Sequence, residues 1–203
     1  MPLTAEAAAG LWAGQRVLLS GVVFTARDAA HRRMIELLEA GEEPPFPLRD
    51  QVIYYTGPSP ARPGAVIGSA GPTTATRMDA FTIPLLERGL RGTIGKGYRS
   101  AEVREAMRTH GAVYFAAVGG AAALLARRIV EAEVIAYPDL GTEAVRRLLV
   151  DDFPVVVAND TAGGDIFELQ RGAPPTAPGE NRPPNMDLGA PGDESPPPAD
   201  GAP

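Results

Sequence analysis

Eighteen arginines stand against a single lysine in this chain, and that lysine, Lys96, lies inside the glycine turn Ile94-Gly95-Lys96-Gly97. An ammonium is a compact point charge with three rotatable donors, whereas a guanidinium is a wide planar fork. One lysine held between two glycines therefore suits a tight anion pocket. A surface turn that carries a lysine by chance is the alternative. Upstream, Gly71-Pro72-Thr73-Thr74 runs into Arg77-Met78-Asp79, between a predicted strand and a predicted helix. Such a junction offers free backbone N–H groups and the positive end of a helix dipole, both of which attract anions. Thr73 and Thr74 add two hydroxyls, and Arg77, one turn further on, can fork onto a carboxylate. A plainer reading makes one threonine the helix cap and leaves Arg77 in solvent.

Arg27-Asp28 opens another predicted helix directly after a strand. Asp28 suits the first turn, but a cation at a helix N-terminus is electrostatically disfavoured, and a residue set against its local preference is a candidate for function. Pairing of Arg27 with Asp28 or another acid is the competing account. His31 lies one turn past Arg27, and a lone histidine is more often structural than functional. Together Arg27, Arg77 and Lys96 would surround a hydroxyl-bearing nest with three cations, a set suited to a small anion with two carboxylates. A threonine hydroxyl takes part in proton transfer only when its alkoxide is stabilised, and neighbouring cations do that. Nothing in the chain, however, would polarise a substrate hydroxyl for elimination. The lysine turn also fails the phosphate-loop pattern, because Leu90 holds the required glycine position and Gly97 replaces the serine or threonine after the lysine.

The elements that must position these residues alternate between the two periods. Arg16–Thr25 is a β-branched apolar run with Gly21 marking a bend or bulge. Residues 27–40 predict a helix with Ala30, Met34, Leu37 and Leu38 on one face and Gly41 as its stop. Short strands are predicted at 51–56, 65–69, 92–95, 113–118, 134–137 and 154–158. Helices are predicted at 78–88, 100–109 with Ser100 as N-cap, 121–130 and 142–149. Strands first, then strand–helix alternation, predict a mixed α/β domain rather than a simple doubly wound sheet.

At 203 residues the chain suffices for one domain with a real core. The formal charge of −6 is concentrated at the end: residues 172–203 carry −4 and ten of the twenty-one prolines. That composition predicts a body at 1–171 followed by a Pro-rich, acidic, unstructured tail at 172–203. No basic stripe favours nucleic acid. With no cysteine, disulfides, thiolate metal sites and cysteine nucleophiles are excluded from this chain, and no other metal-ligand cluster is legible. The first fifteen residues lack the basic and apolar regions of a signal peptide. The longest apolar run, 112–126, is too short and too interrupted to span a bilayer, so a cytoplasmic location is expected.

Read in order, several stretches resemble one family. They are Leu19-Ser20-Gly21 with Phe24-Thr25-Ala26-Arg27-Asp28-Ala29-Ala30-His31, and Tyr55-Thr56-Gly57-Pro58. Next come Ile67-Gly68-Ser69-Ala70-Gly71-Pro72-Thr73-Thr74 through Asp79, and Ile94-Gly95-Lys96-Gly97. Tyr137-Pro138-Asp139-Leu140-Gly141-Thr142-Glu143-Ala144 and Asp152-Phe153-Pro154 complete the set. Together they resemble the C-terminal domain, or separate β subunit, of iron–sulfur-dependent class I fumarases and the related L-tartrate dehydratases, over about residues 3–168.

The resemblance implies a swivelling β/β/α domain that closes over a 4Fe–4S cluster ligated by a cysteine-bearing α domain, with no metal ligand in this chain. It implies Thr73 in proton transfer at carbon, with Arg27, Arg77, Lys96, Thr74 and Gly71 binding the substrate. Asp28 and His31 belong to the motif without an assigned role. The expected activity is reversible hydration of fumarate to L-malate as the β subunit of an αβ hetero-oligomer, inactive alone. L-tartrate dehydration is the alternative within the family, and a non-catalytic dicarboxylate- or partner-binding module is the alternative outside it.

Overall fold

The computed structural model describes residues 3–117, 120–172 and 185–188. Its strands are β1 (Arg16–Thr25), β2 (Val52–Tyr54), β3 (Gly92–Gly95), β4 (Val113–Ala116), β5 (Ile129–Ala136), β6 (Val145–Asn159) and β7 (Asn185–Leu188). The helices are α1 (Ala5–Ala9), α2 (Asp28–Glu39), α3 (Asp79–Glu87), α4 (Ala101–His110), α5 (Ala122–Ala126) and α6 (Ile166–Gly172), with 3-10 turns at Ala75–Met78 and Pro138–Glu143.

β1, β2, β3 and β4 run parallel in that order. The long β6 is antiparallel to both β4 and β1, so it closes the run into a circuit. β5 adds to the other edge of β6 over its first half. The expected mixed sheet with helices is what forms.

Closure leaves the parallel strands buried on both faces, which is why they read as continuous apolar runs rather than as alternations. Along β2, Val52 and Tyr54 join one cluster with Leu19, Ile94, Phe115, Leu148 and Phe153. The intervening Ile53, and Tyr55 just beyond the strand, join a second cluster with Met34, Met78, Leu85, Val103 and Met107 from the helices. Each large side chain so buried contributes about 1.5–3 kcal/mol of transfer free energy. α2 keeps most of its expected face, burying Ala30, Met34 and Leu38 but leaving Leu37 only half-buried, while His31 is buried in addition. Ser100 caps α4 by accepting from the Val103 amide at 3.3 Å. Gly21 sits at the irregularity between β1 and β6, with φ 120°.

Three expectations are corrected. Residues 142–149 form no helix: a 3-10 turn ends at Glu143, and Val145 begins β6. Val145 and Leu148 lie three apart, a spacing that puts them on one face of a helix but on opposite faces of a strand. Here each face is covered, Val145 in the second cluster and Leu148 in the first. Only Ala122–Ala126 of the helix predicted at 121–130 is helical, because Ile129 and Val130 are drawn into β5, where Ile129 pairs with Val150 of β6. Residues 65–69 are a loop, not a strand. They fold back on residues 58–60, where Ser59 and Ser69 exchange a pair of hydrogen bonds, the Ser59 amide to the Ser69 carbonyl at 3.0 Å and the Ser69 amide to the Ser59 hydroxyl at 2.9 Å.

Of the tail predicted as unstructured, most lies outside the described residues. Residues 185–188 form β7, parallel to Leu18–Gly21 of β1. That stretch of β1 is an open edge, since β2 pairs only with Phe24 and Thr25. Among the described residues no helix is long and apolar enough to cross a membrane.

Candidate active site

The segments singled out in the sequence gather at the carboxyl ends of the parallel strands, the place where open α/β sheets present ligand-binding loops. β1 ends at Thr25 and delivers Arg27-Asp28; β2 ends at Tyr54 and delivers Thr56-Gly57 and then residues 71–77; β3 ends at Gly95 and delivers Lys96.

Two of these loops are tied together through the main chain. Thr74 and Lys96 form an isolated parallel bridge. The Lys96 amide donates to the Thr73 carbonyl at 3.1 Å, and the Ala75 amide donates to the Lys96 carbonyl at 2.9 Å. The Thr73 amide donates in turn to the Tyr55 carbonyl at 2.6 Å. Gly95 permits this approach: a Cβ there would lie 3.1 Å from Tyr55, 3.2 Å from Ala75 and 3.3 Å from the Thr73 carbonyl. Gly97 turns the chain with φ 76°.

Thr74 stands at the N-cap of the 3-10 turn, yet its hydroxyl makes no capping bond. Neither threonine hydroxyl is engaged elsewhere among the described residues, so the reading of a threonine as a mere helix cap does not hold. Lys96 is exposed and has no ion pair among the described residues. Gly71 lies tight against α5, where a Cβ would meet that of Ala122 at 3.0 Å, and its carbonyl accepts from the Thr56 hydroxyl at 2.8 Å.

The arginines form a chain of ion pairs. Arg77 forks onto Asp28, Nε to Oδ1 at 3.0 Å and Nη2 to Oδ2 at 2.7 Å. Arg27 lies 3.7 Å from Asp28 Oδ2 and 3.3 Å from Glu143 Oε1. The conflict of Arg27 with the α2 dipole is thus relieved by two flanking carboxylates. Glu143 also accepts from the Ala29 amide at 2.9 Å, capping α2 from a distant segment where Arg27, the N-cap residue, supplies no side-chain bond. The Arg27 guanidinium packs over Gly57, whose missing Cβ would sit 2.8 Å from Nη1.

His31 faces inward. It is fully buried between Tyr55 and Phe81, and its Nδ1 donates to the Arg27 carbonyl at 2.9 Å. Burial lowers its pKa to about 4, so it is neutral and sits behind the site rather than on it.

Sequence reasoning missed the floor and one wall of this site. Arg99 is buried, ion-paired to Asp79 at 2.8 Å, and donates to the Tyr55 hydroxyl at 3.0 Å and to the Thr82 hydroxyl. This network locks Tyr55, whose carbonyl holds Thr73. Glu143 was part of the family-like block without any signal of its own, because a carboxylate that acts across 114 residues leaves no spacing to read. A hollow of about 540 Å³ is lined by residues including Pro58, Ile67, Val134 and Thr142. It lies beside the cations and not over them, and the cationic shelf itself faces outward.

The Fumarase C-terminus family matches residues 2–170. The chain belongs to that family. It is 41% identical over 156 residues to an Escherichia coli protein named fumarate hydratase class I, anaerobic, covering 75% of this chain and 28% of that protein. It is 40% identical over 157 residues to fumarate hydratase 2 of Leishmania major, covering 76% and 28%. Against a putative L(+)-tartrate dehydratase subunit beta of Methanocaldococcus jannaschii the identity is 37% over 172 residues, covering 82% of this chain and 88% of that one. The chain therefore spans little more than a quarter of the length of the fumarate hydratases it matches, and nearly all of the dehydratase subunit.

A class I fumarase implies an iron–sulfur cluster. This chain's residues do not fit one as ligands: it has no cysteine, and no group of three or more His, Asp or Glu among the described residues is placed to hold a metal.

Proposed function

We propose that this chain is the β subunit of a two-subunit hydro-lyase that interconverts fumarate and L-malate, and that it is active only with a cysteine-bearing α subunit that ligates the 4Fe–4S cluster. The observation that supports the reading is the bridge between Thr74 and Lys96, which ties the loop carrying Thr73 and Arg77 to the lysine turn, together with a Lys96 that has no ion pair among the described residues. Lys96, Arg77 and Arg27 bind the two carboxylates of the substrate by charge-assisted hydrogen bonds, with Thr74 and Gly71 lining the same loop. Thr73 moves the proton at the substrate carbon, its alkoxide stabilised by the neighbouring cations. Asp28 holds the Arg77 fork in register. Water is excluded when the partner covers the shelf, which is open on this chain alone. A cytoplasmic location is part of the same proposal; among the described residues no helix is long and apolar enough to cross a membrane.

L-tartrate dehydration is the second reading, supported by the 88% coverage of a chain named as a dehydratase β subunit. Co-expression with the cysteine-bearing partner under anaerobic conditions, followed by assays on L-malate and L-tartrate, separates the two. Turnover of malate with little on tartrate supports the first reading, and the reverse supports the second. A stable anaerobic complex that turns over neither would leave only a binding module.

A further inference from the structure

Glu143 is bonded in two directions at once. One carboxylate oxygen accepts from the Ala29 amide at 2.9 Å, and the other lies 3.3 Å from Arg27 Nη2. The segment that carries it is anchored from behind. The Arg146 guanidinium donates to the carbonyls of Gly141 at 2.9 Å and of Thr142 and Ala144 at 3.1 Å each. Thr25, the last residue of β1, donates to the Ala144 carbonyl at 3.3 Å and accepts from the Arg146 amide at 2.9 Å. Gly141 turns the chain there with φ 59°. On the far side, the Arg27 side chain packs against Gly57, where a Cβ would lie 2.8 Å from Nη1 and 3.0 Å from Cδ. Arg27 is thus confined between a glycine surface and a carboxylate whose own backbone is pinned. A long arginine side chain loses rotamer entropy when it is fixed, and a site that fixes it beforehand spares that cost at binding.

We infer that Glu143 is a positioning residue: it holds the Arg27 guanidinium in place for a substrate carboxylate, and Arg146 holds Glu143. This rests on the dicarboxylate reading of the shelf. Glu143 does not touch the substrate; its effect runs through Arg27.

The test compares Glu143→Gln, whose amide oxygen still accepts from the Ala29 amide but carries no charge, with Glu143→Ala, which loses both contacts. Arg146→Gln, which bonds to neither Arg27 nor α2, loosens the anchor alone. The first readout is the side-chain Nε–Hε signal of Arg27 in the full chain by 15N NMR, identified by its loss in Arg27→Ala. Glu143→Gln is expected to shift it and to speed its hydrogen exchange at least tenfold, with an unchanged melting temperature. The second readout is kinetics of the αβ complex. Glu143→Gln and Arg146→Gln should raise the KM for the dicarboxylate several-fold while kcat stays within about twofold. An unchanged Arg27 signal in well-folded Glu143→Gln overturns the inference, as does a loss of thermal stability without any change in KM. If the wild-type complex has no lyase activity but the Arg27 signal still responds to Glu143→Gln, the reaction assignment fails while the positioning of Arg27 by Glu143 stands.

Discussion

Thr74 and Lys96 are paired strand-fashion, a two-residue bridge beyond the end of β3 that joins a loop from β2 to the turn after β3. The pairing puts the lone lysine of the chain beside Thr73 and Thr74 through main-chain bonds. The geometry at this point is therefore insensitive to what the side chains themselves do, and those side chains can be changed to test chemistry without dismantling the site.

Thr73→Val is expected to abolish turnover of the αβ complex, by roughly 10²–10⁴-fold in kcat, the range that a positioned proton-transfer group supplies. The Thr73 hydroxyl makes no hydrogen bond among the described residues, so folding and assembly should be unaffected. Size-exclusion chromatography and steady-state kinetics on the same preparation check both halves. Wild-type kcat in the variant would remove Thr73 from the mechanism.

Lys96→Ala should chiefly weaken substrate binding, raising KM roughly ten- to a hundredfold, the worth of one hydrogen bond to a charged group. Lys96→Arg should not restore it, because a planar fork does not fit a turn whose neighbours are Gly95 and Gly97. Full rescue by arginine would show that only the charge matters at this position.

Gly57→Ala probes the Arg27 seat from the opposite side to Glu143. The new methyl group would meet Arg27 Nη1 at 2.8 Å and the Thr142 carbonyl at 3.2 Å. The flexible guanidinium moves more readily than the backbone, so the fold should change in stability by no more than about 1 kcal/mol. KM should rise as it does on removal of Arg27 itself. Kinetics matching wild type would show that Arg27 does not need this seat.

His31 makes stability depend on pH. Its folded pKa of about 4 lies below the ordinary 6.5, because burial disfavours the charged ring. Above pH 6.5 the ring is neutral in both states and this loss is absent. As pH falls from 6.5 towards 4 the unfolded chain takes up a proton that the folded chain refuses, so the fold loses up to about 3 kcal/mol across that window. Urea unfolding of wild type and His31→Phe at pH 7 and pH 5 should show a larger loss for wild type. Equal losses would contradict the buried neutral ring.

Local chemistry in the sequence was enough for the parts that depend on local chemistry. The apolar runs of β1, β3 and β4, the stripe of α2 and the Ser100 cap are where their residues predict them. Lys96 and Arg27 stand out because each breaks a compositional or local rule, and Thr73 and Arg77 because they sit at a strand–helix junction; their roles as a set are what the family resemblance implies. The helix predicted at 142–149 failed because Val145 and Leu148 satisfy a helical period and a two-faced strand equally well. Only the presence of β1 and β5 on either side of β6 decides between them.

The sequence by itself thus determined which residue types are available to grip a dicarboxylate, and that no thiolate on this chain can ligate a cluster. The tertiary structure alone decided that His31 turns into the core, that Arg77 is held by Asp28, and that Glu143 reaches back to Arg27 and the α2 terminus. The reason is that a residue's charge and shape are written at its own position. The electrostatic partner that restrains it is supplied by chain closure, here the return of β6 along β1, and closure carries no signature in the spacing of either partner.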